Sequence, residues 1–301
     1  MEENIVYLNG EYIKESEAKL SIFDRGFRFG DGVFDVGRTY NHIPFKLEEH
    51  IQRLFRSLCY VQIDPGLTPE EVQDITLEVI KRNEKNWAPN DDYIYGQRIS
   101  RGEISYLNPA AATRPTVLIE CVPIPFKSFA KRYVEGIHLV TTPIRQIPPQ
   151  CLDPRVKFQS RLVNVMAERE AKKIDPAGYG LMLDINGLLA EGPSYNFFLV
   201  KEGILLTSNR NNILEGITRA TILGLAKELR IESAEMDLTM YDLYTADEIF
   251  ITSTNPSILP VSKLNNRPLR EPIPGPITKQ LLSAFIKLVG IDIVQQALDH
   301  V

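Results

Sequence analysis

The stretch LMLDINGLLAEGPSYNFFLV, which runs from Leu181 to Val200, contains two apolar segments joined by a turn that carries a carboxylate. Glu191 stands at that turn, and Asn196 opens the second apolar segment. A glutamate before a glycine is most often a solvated turn residue. The neighbouring sequence favours a functional role, because Lys157 lies upstream ahead of an amphipathic helix, and the residues 216–219, Gly-Ile-Thr-Arg, open another helix downstream.

Length and composition indicate a globular protein of two packed domains. The chain has 301 residues, which exceeds the usual size of one domain. Its 44% apolar content includes no run of eighteen or more apolar residues, and the N-terminal stretch has no basic region followed by an apolar one. We therefore expect neither a membrane span nor a secretory signal. The net charge of −5 and the pI near 5.6 give no basic footprint for nucleic acid, so no nucleic-acid partner is expected.

The cysteines and histidines exclude several kinds of chemistry. Cys59, Cys121 and Cys151 are widely spaced, which argues against a disulfide framework and is typical of a reducing, cytoplasmic location. The four histidines show no two-ligand spacing, so no metal site is expected. The sequence also lacks the GxSxG, P-loop and GxGxxG motifs. The chemistry must therefore come from a lysine, a carboxylate or a cofactor.

The pattern of strands and helices predicts an α+β fold. The Asn-Gly pairs at 9–10 and 186–187 predict hairpins over 5–13 and 179–191. Helical spacing of apolar residues predicts helices over 47–59, 68–85, 161–173, 219–229 and 277–289. Further strands are predicted over 33–40, 93–100, 116–122, 137–142, 196–200, 204–207, 248–252 and 259–263.

A composition break marks the expected domain boundary. Residues 1–122 are predicted to form a small N-terminal α/β domain, and residues 123–135, with two prolines near their start, form the linker. Residues 136–301 are predicted to form a larger domain that carries Lys157. A cleft between the two domains is the expected place for a ligand.

A pyridoxal phosphate site needs a lysine for the Schiff base, an acid for the pyridine nitrogen and a cradle for the phosphate. Lys157 is the candidate lysine, and Glu191 is the candidate acid. The helix start at 216–218 offers free amides and the Thr218 hydroxyl to a phosphate dianion. Each feature alone is more often a surface lysine, a solvated turn or an ordinary helix cap. Their combination indicates pyridoxal phosphate chemistry.

These residues carry a family resemblance that covers nearly the full length of the chain. The chain resembles the class IV aminotransferases, a pyridoxal phosphate family that includes branched-chain and D-amino acid aminotransferases, (R)-selective amine transaminases and aminodeoxychorismate lyase. The matching segments, in chain order, are DRGFRFGDGVFDV, HIQRLFRS, VKFQSRLVNVMAEREA, LLAEGPSYNFFLV, NILEGITRATI, ADEIFITSTNPSILPV and GPITKQL.

The resemblance implies the fold, the cofactor and the roles of particular residues. It implies a two-domain fold like that of D-amino acid aminotransferase, a homodimer, and pyridoxal 5′-phosphate in the interdomain cleft. Lys157 would be the Schiff-base lysine and Glu191 the partner of the pyridinium. The implied phosphate site consists of Arg53, Ile217, Thr218 and Thr254, and the residue packing on the cofactor ring is Leu214.

The carboxylate-binding residues of the known subgroups are missing from this sequence. Gly96 falls where branched-chain enzymes carry an arginine, and Tyr106 and Asn108 fall where D-amino acid enzymes carry an arginine and a histidine. Phe34 replaces the tyrosine of the D-specific enzymes, as in branched-chain ones. The expected substrate pocket consists of Phe34, Arg98, Tyr106, Tyr195 and Asn255.

Arg98 and its neighbour Arg101 leave the substrate open. Either Arg98 binds a substrate carboxylate in a new way, or the pocket is apolar enough to take amines that lack one. A further alternative is that Arg98 points outward as an edge-strand charge. The expected activity is transamination from an (R)-amine or D-amino acid donor to a keto acid acceptor. The alternatives are a branched-chain L-amino acid aminotransferase, a lyase of the aminodeoxychorismate type and a non-catalytic protein that binds the cofactor.

Overall fold

A computed structural model of the chain describes residues 3–104, 114–270 and 272–301. It divides into two compact units. The first unit contains Met1–Ile124 and Val156–Arg161, and the second contains Pro125–Arg155 and Leu162–Val301. The α+β class predicted from the sequence is confirmed, because both units combine helices with a mixed or antiparallel sheet.

The strands and helices of the first unit follow the apolar patterns of the sequence. Its elements are β1 (Ile5–Leu8), β2 (Glu11–Lys14), α1 (Arg25–Phe29), β3 (Gly32–Tyr40), β4 (Ile43–Pro44), α2 (Leu47–Val61), α3 (Pro69–Asn83), β5 (Tyr93–Ser100) and β6 (Thr116–Pro123). Short 3-10 helices cover Glu15–Glu17 and Glu84–Asn86.

The sheet of the first unit is antiparallel, with the strand order β2-β1-β6-β5-β3-β4. The predicted hairpin joins β1 to β2, and Asn9 and Gly10 have φ values of 52° and 106°, as a type I′ turn requires. Helix α3 begins with the predicted capping box, in which Thr68 and Glu71 bind each other's backbone amides. Helices α2 and α3 cover one face of the sheet, where the core of this unit lies.

Residues 156–161 pack with the first unit, which differs from the predicted assignment of Lys157 to the C-terminal domain. Two backbone hydrogen bonds to β3 hold this segment, and Val156 and Phe158 pack into or against the apolar core of the first unit. Chain order could not reveal this placement, because the segment lies between stretches of the second unit.

The second unit contains the remaining elements. They are α4 (Arg132–Glu135), β7 (Ile137–Arg145), α5 (Leu162–Ile174), β8 (Tyr179–Leu183), β9 (Asn196–Lys201), β10 (Ile204–Ser208), α6 (Ile217–Glu228), β11 (Ser233–Met236), α7 (Met240–Thr245), β12 (Glu248–Ser253), β13 (Ser257–Leu264), β14 (Arg267–Pro268), α8 (Pro276–Val289) and α9 (Ile293–Leu298). Short 3-10 helices cover Phe126–Ser128 and Arg210–Asn212.

The sheet of the second unit has the strand order β11-β10-β9-β12-β13-β7-β8, and β14 pairs with β13. The turn of the predicted hairpin over 179–191 is present. Of its two arms, only the first, β8, is a regular strand. Leu189 bridges to β8, and the pairing becomes irregular at Met182, whose carbonyl accepts from the Ala190 amide while its own amide donates to the carbonyl of Glu191. In the described part of the chain, every helix is too short or too polar to cross a lipid bilayer.

Candidate active site

Residues 157–159 form an extended segment beside the first residues of β3. The amide of Phe34 donates to the carbonyl of Lys157 over 3.0 Å, and the amide of Gln159 donates to the carbonyl of Gly32 over 3.0 Å. The two hydrogen bonds fix the register of Lys157 against the sheet.

That register decides which way the lysine points. Val33 and Phe158 form a bridge between the two segments, and both belong with the core under α2 and α3. Because side chains alternate along extended backbone, Phe34 and Lys157 lie on the opposite face of the sheet. The Lys157 Nζ lies 4.7 Å from the centroid of the Phe34 ring.

Two arginines share this face with Lys157. Arg98 stands directly opposite Phe34 in the pairing of β3 with β5, and its Cζ lies 5.4 Å from the Phe34 ring. The Cζ of Arg161 lies 5.6 Å from the same ring. Three cationic side chains around one aromatic ring create a positive local potential, which attracts anionic groups such as carboxylates.

The carboxylate of Glu120 neutralises part of the positive charge around the Phe34 ring. Its Oε1 lies 2.8 Å from the Nε of Arg98, and the two side chains are 30% and 40% exposed. Strand β5 lies between β3 and β6, so Arg98 is not an edge-strand charge. Glu120 pairs with Gly96 across the strands, and a Cβ on Gly96 would lie 3.3 Å from the Glu120 Oε1.

The covered face of the same sheet carries a second charged cluster. Asp35 is fully buried and accepts hydrogen bonds from Arg53 through Nε at 2.7 Å and Nη2 at 2.8 Å. The Nδ1 of His50 lies 2.7 Å from the same carboxylate. Burial alone would raise the pKa of Asp35, but Arg53 and His50 hold that pKa well below its usual range. Arg53, predicted as a phosphate ligand, is therefore fixed by Asp35.

His50 completes the cluster as an uncharged partner. Burial lowers the pKa of His50 despite the opposing attraction of Asp35, with Arg53 and Lys157 lowering it further. A neutral ring with its proton on Nδ1 donates to Asp35.

Glu191 is the central carboxylate of the second unit. It is 7% exposed, and its own carbonyl accepts a backbone hydrogen bond from the Met182 amide. The Nε2 of Gln146 donates to Oε1 over 2.8 Å, while the Nδ2 of Asn196 and the amide of Leu214 each donate to Oε2 over 3.1 Å. These three donors are uncharged, so none of them neutralises the carboxylate.

Asn196 links Glu191 to the start of α6. Its Nδ2 also donates to the carbonyl of Leu214, and its Oδ1 lies 2.1 Å from the place that a Cβ on Gly216 would take. A side chain at Gly216 would therefore collide with the amide that holds Glu191. As the N-cap of α6, Gly216 leaves the first amides of the helix without a side-chain cap.

The remaining predicted phosphate ligands lie around this helix start. Ile217 is the first residue of α6, and the Thr218 hydroxyl donates to the carbonyl of Ser253 over 3.1 Å. This hydrogen bond brings the turn that contains Thr254 and Asn255 to the first turn of α6.

Other predicted pocket residues have different places. Tyr195 is 8% exposed, and its hydroxyl donates to the carbonyl of Gly180 inside the second unit. Burial raises its pKa well above the usual value. This interior place differs from the predicted pocket position, because the turn after Glu191 directs the ring inward. Tyr106 and Asn108 lie outside the described residues.

Arg101 has a structural role in the first unit. Its guanidinium binds Asp31 and the carbonyls of Val61 and Gln62 at the end of α2. Cations are favoured at that end of a helix, since the last carbonyls have no partners within the helix.

Sequence reasoning missed Gln146, Glu120, Arg161 and Asp35. Asp35 and Glu120 gave a signal that could have been used, since each is an acid within an otherwise apolar strand. Gln146 and Arg161 gave no such signal, because a single polar residue next to a loop forms no recognisable sequence pattern.

The described residues fit pyridoxal phosphate. Lys157 provides a primary amine on the sheet face opposite α2 and α3, and Glu191 provides a buried carboxylate that is hydrogen-bonded by amides. The uncapped start of α6 and Thr218 provide donors for a phosphate. The fold and these groups define an enzyme of the pyridoxal phosphate type.

The chain belongs to the class IV aminotransferases. The family model described as "Amino-transferase class IV" matches residues 32–264. Membership makes this protein an aminotransferase that depends on pyridoxal 5′-phosphate, which confirms the predicted enzyme class and cofactor.

Individual relatives are similar over almost the whole chain. A putative branched-chain-amino-acid aminotransferase of Methanocaldococcus jannaschii is 39% identical, over 93% of this chain and 94% of the relative. A D-alanine aminotransferase of Bacillus licheniformis is 31% identical, over 93% and 95%. Among solved structures, the branched-chain amino acid aminotransferase of Escherichia coli matches with a TM-score of 0.86 and 28% identity, over 96% of this chain and 95% of that one.

The Asp35 cluster generates a stability prediction. Asp35→Asn leaves Arg53 buried without its anion, so the free energy of unfolding should fall by roughly 3–5 kcal/mol, measured by urea denaturation. The pKa of Asp35 is lower in the folded protein than in the unfolded chain. Ionised Asp35 therefore makes its full contribution to the free energy of unfolding above the unfolded pKa of about 4. This contribution decreases as the pH falls towards the pKa of Asp35 in the folded protein.

Glu78→Gln is the control. It removes the carboxylate of an exposed ion pair with Arg82, and it should cost less than about 1 kcal/mol. Equal losses for the two variants, or a loss in Asp35→Asn that does not decrease in acid, would contradict the assignment.

Proposed function

We propose that Lys157 binds the cofactor covalently and transfers protons, and that Glu191 is the acidic partner of the pyridine nitrogen. The observation that carries this proposal is the Glu191 carboxylate, which is buried and accepts hydrogen bonds from Gln146, Asn196 and the Leu214 amide. A buried anion with such donors keeps its negative charge available for a cationic group.

When bound, pyridoxal phosphate supplies an electron-poor ring that takes up the electrons released as the substrate carbon loses its proton. Ionised Glu191 keeps the ring nitrogen protonated through a charge-assisted hydrogen bond. The Lys157 amine would be the general base that takes the proton from the substrate carbon and the acid that returns it. Over the full cycle, the amino group would pass from the donor, which becomes a ketone or keto acid, to an oxo acceptor, which becomes an amine or amino acid.

The phosphate is assigned to the start of α6. The first amides of that helix, Ile217 and Thr218 among them, have no side-chain cap and face an anion favourably. Thr254, in the neighbouring turn, and Arg53 complete the proposed phosphate ligands. Leu214 is proposed to pack on the ring, since its amide already contacts Glu191.

Lys157→Ala and Glu191→Gln test these roles. Lys157→Ala should lose the visible absorption of the purified holoenzyme and reduce transamination to background, because no other amine takes its place. Glu191→Gln should reduce the rate by roughly a hundred- to thousandfold, as expected when a preorganised electrostatic partner is removed. Absorption spectra and steady-state rates measure both effects.

Lys172→Ala is the matched control, because Lys172 is an exposed lysine paired with Glu168 on α5. It should retain the wild-type spectrum and rate. Full activity in Lys157→Ala would refute the proposed mechanism.

We propose further that the donors are (R)-amines or D-amino acids and that the acceptor is a keto acid. Gly96 brings no charge to the sheet face beside Lys157, and Phe34 offers that face an apolar ring. Arg98 is paired with Glu120, so a substrate carboxylate must compete with Glu120 for Arg98, which favours donors without a carboxylate. The 31% identity to a D-alanine aminotransferase also supports this donor class.

Branched-chain L-amino acids are the second candidate donors. The observation that favours them is the 39% identity to the putative branched-chain enzyme of Methanocaldococcus jannaschii. The two candidates share every proposed cofactor ligand, so only the donor distinguishes them.

A donor panel on the wild type and on Arg98→Leu tests the substrate proposal. We expect D-alanine and (R)-1-phenylethylamine to react faster than L-leucine in the wild type. Arg98→Leu should raise the KM for the keto acid about tenfold, since a charge-assisted contact is lost, while the KM for (R)-1-phenylethylamine should change less than about twofold. Arg82→Leu, at an exposed arginine, is the control. Strong L-leucine turnover without (R)-1-phenylethylamine activity would reverse the ranking.

We also propose a homodimer and a cytoplasmic location. The segment around α1 exposes a run of large apolar side chains that an interface would cover: Leu20, Ile22, Phe23, Phe27 and Phe29, between 41% and 74% exposed. Cys59, Cys121 and Cys151 are all free thiols, which is consistent with a reducing compartment.

Phe27→Asp tests the interface. Phe27 is 74% exposed, and a charge there should convert the dimer to a monomer in light-scattering measurements. Tyr241→Asp is the matched control, because Tyr241 is 70% exposed on α7. A wild-type monomer, or a dimer unaffected by Phe27→Asp, would count against this interface.

A further inference from the structure

Gln146 is the first residue after β7 and is 7% exposed. Its amide nitrogen donates to the carbonyl of Leu183 at the end of β8 over 2.9 Å. Its side chain then reaches Glu191 Oε1 at 2.8 Å. The backbone hydrogen bond fixes where the side chain begins, so the Nε2 is directed at Oε1 by the sheet itself.

The two oxygens of Glu191 are held from different parts of the second unit. Gln146 binds Oε1 from the end of β7, while Asn196 and the Leu214 amide bind Oε2 from β9 and the loop before α6. Donors on both oxygens oppose rotation about the last bond of the side chain. Without Gln146, the two donors on Oε2 would oppose that rotation less.

Gln146 is also uncharged. An arginine or lysine in its place would form an ion pair and cancel the charge of Glu191. An amide donates one hydrogen bond, favours the ionised form of the carboxylate and leaves its charge in place.

We propose that Gln146 is a positioning residue that fixes the plane of the Glu191 carboxylate and keeps it ionised toward the ring nitrogen of the cofactor. This inference rests on the proposed role of Glu191. Gln146 acts through that carboxylate rather than on the substrate.

Gln146→Met is the test, because methionine is close in size to glutamine but has no donor. We expect the cofactor dissociation constant, measured by equilibrium dialysis, to rise about tenfold, as for a lost hydrogen bond to a charged group. The pH at which the visible absorption of the bound cofactor titrates should rise, because a less protonated ring nitrogen removes a positive charge from the chromophore. The kcat should fall about tenfold with less than about twofold change in donor KM.

Two further variants separate the donor from its shape. Gln146→His offers an uncharged N–H at similar reach and should restore most of the affinity and the spectral titration. Gln146→Glu places two carboxyl groups about 3 Å apart, so they share a proton at neutral pH and Glu191 loses part of its charge. This variant should lose more activity than Gln146→Met and should bind the cofactor more weakly.

Gln296→Met is the matched control, because Gln296 is also 7% exposed in the second unit but lies on α9. The thermal midpoint of Gln296→Met reports the cost of losing a buried amide, whereas its spectrum and cofactor affinity should not change.

If Gln146→Met binds the cofactor and titrates like the wild type, the inference is wrong. If Glu191→Gln also has no effect, the proposed function itself fails, so the two failures are distinguishable. Should Gln146→Met not fold, Gln146→His and Gln146→Glu must still differ in spectral titration; equal behaviour of those two overturns the inference.

Discussion

In the second unit, hydrogen bonds from several separate elements satisfy the buried charge of Glu191. Removing a carboxylate from water is costly unless hydrogen bonds replace the lost hydration. Glu191 meets this requirement with donors from the end of β7, the start of β9 and the loop before α6. The same requirement explains Gly216, because the Asn196 amide occupies the space where its side chain would lie. The position of the charge and the start of α6 are therefore set by one side chain.

In the first unit the corresponding constraint is the register of an extended segment. Residues 157–159 pair with β3 so that Phe158 faces the core and Lys157 faces the other side. A slip of one residue would exchange the two, since side chains on extended backbone alternate strictly. The apolar side chain of Phe158 opposes that slip, because exposing it would lose buried area. The orientation of the lysine thus follows from the burial of its neighbour.

The sequence allowed much of the fold and part of the site to be predicted, for reasons that differ between residues. Helix α3 and the hairpin of β1 and β2 follow from local signals, a capping box and an Asn-Gly turn, and both predictions are confirmed. Local signals say nothing about contacts between distant segments. They could not show that residues 156–161 pack with the first unit, or that Gln146 reaches Glu191 from 45 residues away. Tyr195 was placed in the pocket by its position in the chain, but its interior place depends on a turn geometry that residue types do not encode.

Asp35 and Glu191 are both buried carboxylates, but their hydrogen-bond partners differ in charge. Asp35 is paired with the charge of Arg53, and this ion pair holds α2 against its sheet. Glu191 accepts hydrogen bonds from the amides of Gln146, Asn196 and Leu214, which lower the cost of burial without adding a charge of their own. Under the proposed function, a protonated ring nitrogen would pair with the Glu191 carboxylate, whose plane the surrounding amides already fix, and the ring would be held in its reactive protonation state.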